Sequence, residues 1–175
     1  MLATGTCVLA FPVLANVMVG GEAMYPDRTI VQNAVNSKDH TTLVAAVQAA
    51  GLVDVLNGEG PFTVFAPVNA AFDALPAGTV ENLLQPENKA MLTHVLTYHV
   101  VPMRLTYLEL QSIIQASGGT AELTTVSGDT LTATMNGPVN ILLRDENGGV
   151  ANITIYDVMQ SNGVIHSIDR VLLPN

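Results

Sequence analysis

From Asp39 to Ala50 the apolar residues Leu43, Val44, Val47 and Ala50 recur at helical spacing, with Asp39 as N-cap candidate and Gly51 placed to end the helix. Phe62-Thr63-Val64-Phe65 changes period: a β-branched and aromatic run stopped by Ala66-Pro67 predicts a strand, after which Asn69 is placed to cap a short helix through Phe72 and Leu75. Helical signals return over residues 79–84 and 86–96. In the second of these Pro86 suits a first turn, Glu87 complements the helix dipole, and Met91, Leu92, Val95 and Leu96 supply an apolar face. Tyr98-His99-Val100-Val101 then reads as a strand ended by Pro102.

The pattern changes near Ser117-Gly118-Gly119. Beyond it, apolar runs over residues 121–126, 130–135, 139–143, 150–157 and 163–172 are separated by turn residues, which predicts a β meander. Asn136-Gly137, Asn147-Gly148 and Asn162-Gly163 are expected to be tight turns, because Asn and Gly tolerate positive φ; the last would set the register of the final strand. No Gly/Ser-rich or Pro-rich linker and no internal repeat divides the chain. The expected fold class is α+β, with helices capping a small β-sandwich or wedge.

Length and composition narrow this picture. The 175 residues suffice for one domain with a sizeable core. With 49% hydrophobic and only 12% charged residues, the surface must be covered largely by uncharged polar groups. A formal net charge of −9 repels phosphates, which argues against nucleic acid as a partner. The single cysteine, Cys7, excludes an internal disulfide and a multi-cysteine metal site. It lies in the apolar stretch from Cys7 to Ala15, which is too short to span a bilayer and reads as the h-region of a signal peptide, cut before Asn16. No Lys or Arg precedes Arg28, so the basic n-region of such a leader is missing, and Thr4-Gly5-Thr6-Cys7 is a poor lipoprotein signal. The expectation is a leader over residues 1–15, one domain over 16–175, and export to the extracellular space or periplasm.

Candidate chemistry is sparse. Ser161, His166 and Asp169 invite a triad reading, but there is no Gly-x-Ser-x-Gly elbow, and on a strand His166 and Asp169 point to opposite faces. His94 and His99 do not have metal-pair spacing, and a lone histidine among apolar residues is normally a hydrogen-bonded core residue. Asp145-Glu146-Asn147-Gly148-Gly149 offers oxygen ligands without the spacing of a calcium loop and reads as a polar turn. Asn152-Ile153-Thr154 fits a glycosylation sequon inside an expected strand. No catalytic residue, cofactor or metal is expected.

Three segments, in order, carry a family resemblance. Thr63-Val64-Phe65-Ala66-Pro67-Val68-Asn69-Ala70-Ala71-Phe72, Leu96-Thr97-Tyr98-His99-Val100-Val101, and the run from Ser161 to Pro174 resemble the signatures of the fasciclin (FAS1) domain. Val17-Met18-Val19-Gly20-Gly21 with Met24-Tyr25-Pro26 is similar to the start of secreted bacterial single-domain members. Val68 stands where Thr is usual, and Val158 follows Asp157 where the family's adhesion-linked pair is Asp-Ile.

The resemblance implies a non-catalytic, extracellular module for adhesion or matrix and protein interaction. It places binding candidates at Tyr98, His99, Asp157 and Val158, with Asn88-Lys89 near a third adhesion-linked segment, and structural motif positions at Asn69, Asn162, Gly163 and His166. The flanking apolar residues lead us to expect Tyr98 and His99 to be mainly structural. The alternative is a secreted or periplasmic binding protein for a small molecule or polysaccharide, which a concave apolar cavity would favour.

Overall fold

A computed structural model describes residues 16–175; the expected leader over residues 1–15, Cys7 included, lies outside the described residues. Gly20 and Gly21, both at positive φ, turn the chain between β1 (Met18–Val19) and β2 (Glu22–Ala23). Helices α1 (Ile30–Ala34), α2 (Thr41–Ala50) and α3 (Val53–Leu56) precede strand β3 (Phe62–Pro67). Then come α4 (Asn69–Asp73), α5 (Thr79–Leu83) and α6 (Lys89–Tyr98), the last entered through a 3-10 turn at Pro86–Asn88. Strand β4 (Val100–Val101) and helix α7 (Tyr107–Ala116) lead into the meander β5 (Thr120–Thr124), β6 (Thr130–Asn136), β7 (Asn140–Arg144), β8 (Val150–Gln160) and β9 (Gly163–Ile168).

The larger sheet has the order β4-β3-β9-β8-β7-β6-β5. The last strand therefore does not end the meander at an edge: it inserts beside β3, parallel to it, with Phe65 opposite His166. Burial follows from that position. Every residue of β9 and all but the first of β3 are buried, as expected of strands covered on both faces, whereas β5 alternates exposed and buried with one face to solvent.

Two apolar cores lie on opposite sides of the β3–β9 wall. Because side chains alternate along a strand, Val64 and Ala66 face the first core while Phe65 between them faces the second; Val100 and Val101 divide in the same way. The first core joins α1, α2, α4 and α6 to the wall through Ile30, Leu43, Val47, Phe72 and Leu96. The second is closed by Leu110 and Ile114 of α7 over Leu131, Ile141 and Leu143 of the meander, with Tyr98 and Leu172 inside it.

Several expectations need correction. Asp39 is not the cap of α2: a 3-10 turn over Lys38–His40 precedes the helix, and the residue before Thr41 makes no side-chain cap. The cap comes from another element. Asn69 Oδ1 accepts from the Thr42 N–H at 3.1 Å and the Thr41 hydroxyl at 3.2 Å, and its Nδ2 donates to the Lys38 carbonyl, so Asn69 serves α2 and not its own helix. Tyr98 is the last residue of α6 and His99 its C-cap, so the strand expected over residues 98–101 shrinks to Val100–Val101.

The turn between β8 and β9 consists of Ser161 and Asn162, with Gln160 paired to Gly163, and neither Asn162 nor Gly163 has positive φ. Gly163 is needed for a different reason. A Cβ there would overlap the Phe62 carbonyl on the neighbouring strand.

Candidate functional site

Tyr98, His99, Val158 and His166, among the positions the resemblance singles out, lie inside the molecule. The Tyr98 side chain is fully buried and its hydroxyl donates to the Thr130 carbonyl at 2.9 Å; desolvation pushes the phenol up to about 12. His99 is 2% exposed. Its Nδ1 donates to the Val95 carbonyl at 2.7 Å and its Nε2 accepts the Leu172 N–H at 3.0 Å, so both ring nitrogens are used by a neutral imidazole. Burial lowers its pKa to about 4.

Asp157 is the one described non-glycine residue at positive φ, 54°, and stands where β8 shifts register against β9 between Ile155 and Val158. The resulting bulge aims its carboxylate at α7, where Oδ1 accepts the Tyr107 N–H at 2.7 Å, a free donor of the helix's first turn. Val158 turns the other way and is 1% exposed in the first core.

Of these, Asp157 reaches the segment between β4 and α7, where Thr63 and His166 join it. Thr63 accepts the Leu105 N–H at 2.8 Å and donates to the Met103 carbonyl at 2.6 Å. His166 donates from Nε2 to the Leu105 carbonyl at 2.7 Å and accepts the Asp157 N–H on Nδ1 at 3.3 Å, which fixes the neutral tautomer; burial holds its pKa below the ordinary range. Arg104 donates to the Gln160 carbonyl at 3.4 Å. Thr106 and Glu109 complete a capping box, and the bonds from Thr106 keep the Glu109 carboxyl below its usual pKa.

Side chains from β3, β8 and β9 thus pin three backbone positions, 103, 105 and 107, of a segment that presents Met103, 47% exposed, and the adjoining Leu108, 70% exposed. Tyr98, His99 and Val158 are buried, and the hydrogen bonds of Tyr98 and His99 go to Thr130, Val95 and Leu172.

The remaining candidates do not assemble. Ser161 is exposed in its turn, His166 is engaged by Leu105 and Asp157, and Asp169 accepts from the Asn152 backbone and side chain at 2.8 Å each. His94 contacts Asp129 at 2.6 Å, whereas His99 bonds Val95 and Leu172, so the two histidines share no partner. Asp145 accepts the Gly149 N–H at 2.6 Å and the Leu173 N–H at 3.0 Å, so its turn anchors the C-terminal segment. Asn88 bonds the Asn82 carbonyl and side chain, and Lys89 begins α6.

Sequence reasoning missed the hydrogen-bonding role of Thr63, the bulge at Asp157 and the whole of helix α7. Only the last left a readable local signal: Thr106-x-x-Glu109 ahead of an apolar run.

Comparison with known proteins gives a consistent result. The family model described as Fasciclin domain matches residues 38–174. Protein sll1483 of Synechocystis is 49% identical over 147 residues, covering 83% of this chain and 73% of that protein. A second Synechocystis protein, sll1735, is 40% identical over 82% of this chain and 96% of its own length. Transforming growth factor-beta-induced protein ig-h3 of Sus scrofa is 36% identical over 85% of this chain but only 20% of its own length. Among solved structures, a FAS1 domain pair from the insect cell adhesion molecule Fasciclin I superposes with a TM-score of 0.74 at 20% identity, over 85% of this chain and 51% of that one, which establishes the shared fold.

Proposed function

Because the chain belongs to the fasciclin domain family, we propose that it is an exported, non-catalytic adhesion module that binds a protein or matrix component through the pinned segment Met103–Leu108. The observation that carries this reading is the division of labour in the site. The residues linked by family resemblance to adhesion, Tyr98, His99, Asp157 and Val158, are hydrogen-bonded or buried, and the polar bonds of Asp157, His166 and Thr63 fix the backbone that holds Met103 and Leu108 outward. A rigid backbone with exposed apolar side chains loses little entropy on binding, which favours recognition. The insect protein with the same fold is a cell adhesion molecule, and the proposal extends that role to this chain.

The test measures binding to intact cells or matrix together with urea unfolding. Met103→Asp with Leu108→Asp is expected to weaken binding at least tenfold at an unchanged unfolding midpoint. Tyr98→Ala and His99→Ala should each lose about 1–3 kcal/mol of stability, with binding falling only as the fold loosens. Abolished binding at full stability in either of these, or unchanged binding in the Met103/Leu108 double variant, would refute the assignment.

A further inference from the structure

The first core is not completely filled. Beneath α2 lies a cavity of about 60 Å³, roofed by Leu43, Val44 and Val47 and floored by Val64, Val158 and Ile165. At roughly 10–15 Å³ for one water-sized sphere, it has room for about four to six such spheres.

Its polar neighbours are already committed. The Ser37 hydroxyl and His40 Nδ1 bond each other at 2.8 Å, Thr97 donates to the Thr93 carbonyl, and both nitrogens of His99 are used. Among the described residues no buried side-chain polar atom lacks a partner. A water or polar ligand inside would therefore find no buried side-chain atom in need of a partner, and an apolar cavity of this kind stays dry unless an apolar group enters. Exposed lining residues, Gln48, Val55 and Val126, mark where the cavity meets solvent, and Gln48 alone of these offers a polar side chain at the rim.

We propose that this cavity binds the end of an alkyl chain, with the chain's polar end left at the rim beside Gln48. Size selects the class. An apolar cavity known to take benzene measures about 150 Å³, so a space of about 60 Å³ is too small for a six-membered ring but admits the last few carbons of an alkyl chain. No residue of 103–108 lines the cavity, whose walls belong mainly to the first core, so the site is distinct from the adhesive surface.

The probes are 1-butanol, 1-hexanol and cyclohexanol, titrated into the full chain with methyl-labelled valine and leucine and followed by NMR. The expected result is saturable shifts confined to the methyls of Val44, Val47, Val64 and Val158, with 1-hexanol binding more tightly than 1-butanol and at least tenfold more tightly than cyclohexanol. Val44→Phe, which fills the cavity, should weaken 1-hexanol at least tenfold. Non-saturating shifts, shifts spread over surface methyls, equal binding of cyclohexanol, or unchanged affinity in a folded Val44→Phe would each overturn the proposal. If Val44→Phe does not fold, Ala34→Leu replaces it, and the comparison of alcohols on the unsubstituted chain still decides.

Discussion

A single amide, that of Asn162, ties together segments that are distant along the chain. Its Oδ1 accepts the Ile30 N–H at 3.0 Å, its Nδ2 donates to the Leu56 and Gly58 carbonyls at 2.7 and 2.9 Å, and its own carbonyl accepts the Phe62 N–H. Next to it, Gly163 allows β9 to approach the Phe62 carbonyl and Ile30. The importance of this pair was legible in the sequence, but its reason was not. Turn chemistry is local, whereas the partner Ile30 lies 132 residues away and only the finished fold brings it near. Gly163→Val is expected to cost more than about 3 kcal/mol by steric overlap, and Asn162→Ala at least about 2 kcal/mol through the orphaned Ile30 donor. Urea unfolding checks both; an unchanged midpoint and slope in either variant contradicts the role given to that residue.

Among the elements, those with a strong period of their own were readable in advance: α2, β3 and the five strands of the meander fall close to where the hydrophobic pattern puts them. What escaped depends on contacts between elements. Tyr98 looks strand-like beside Val100 and Val101, yet it is buried in the second core with its hydroxyl bonded to Thr130, and α6 runs two residues past Leu96 to include it. Asn69 has the chemistry of a cap, but the fold spends it on α2. The bulge at Asp157 could not be inferred from alternation, because a bulge interrupts alternation. At this site the acid does two things: it tolerates the left-handed backbone and accepts the Tyr107 N–H. Asp157→Asn keeps an oxygen at that position and should be nearly neutral. Asp157→Ala loses the acceptor and takes on backbone strain, at about 1–3 kcal/mol, with faster amide hydrogen exchange in the first turn of α7. Equal losses in the two variants, with α7 exchange unchanged, would show that the carboxylate does not hold the helix.

At the scale of the molecule, three histidines bind the two cores to their shared wall. His40 reaches Ser167 of β9 at 3.4 Å, His166 holds Leu105, and His99 joins α6 to Leu172. Desolvation is the leading cause that lowers all three, to about 4 for His99; the carbonyls of Ala66, Val95 and Leu105 oppose it only in part. The unfolded chain takes up these protons near pH 6.5, while the folded chain refuses them until its own lower values are reached. Stability is therefore fully present above about pH 6.5 and lost as pH falls. Each histidine contributes up to about 1.4 kcal/mol per pH unit over its window, and for His99 that window extends to about pH 4, a loss of about 3 kcal/mol. Glu109 and Asp129, also lowered, act later, below their unfolded values of 4.5 and 3.8. Against a domain's total of roughly 5–15 kcal/mol the loss at His99 is a large share, and the lowered His40 and His166 act in the same direction, so stability falls before the carboxylates titrate. The wall belongs to both cores, so the loss should be a single transition in which the methyls of Leu43 and Leu110 lose their native shifts together. Urea unfolding at pH 7.5, 6 and 5 measures the slope. Stability that stays level between pH 7 and pH 5, or two cores that unfold at separate pH values, would show that these buried imidazoles do not couple the halves of the domain.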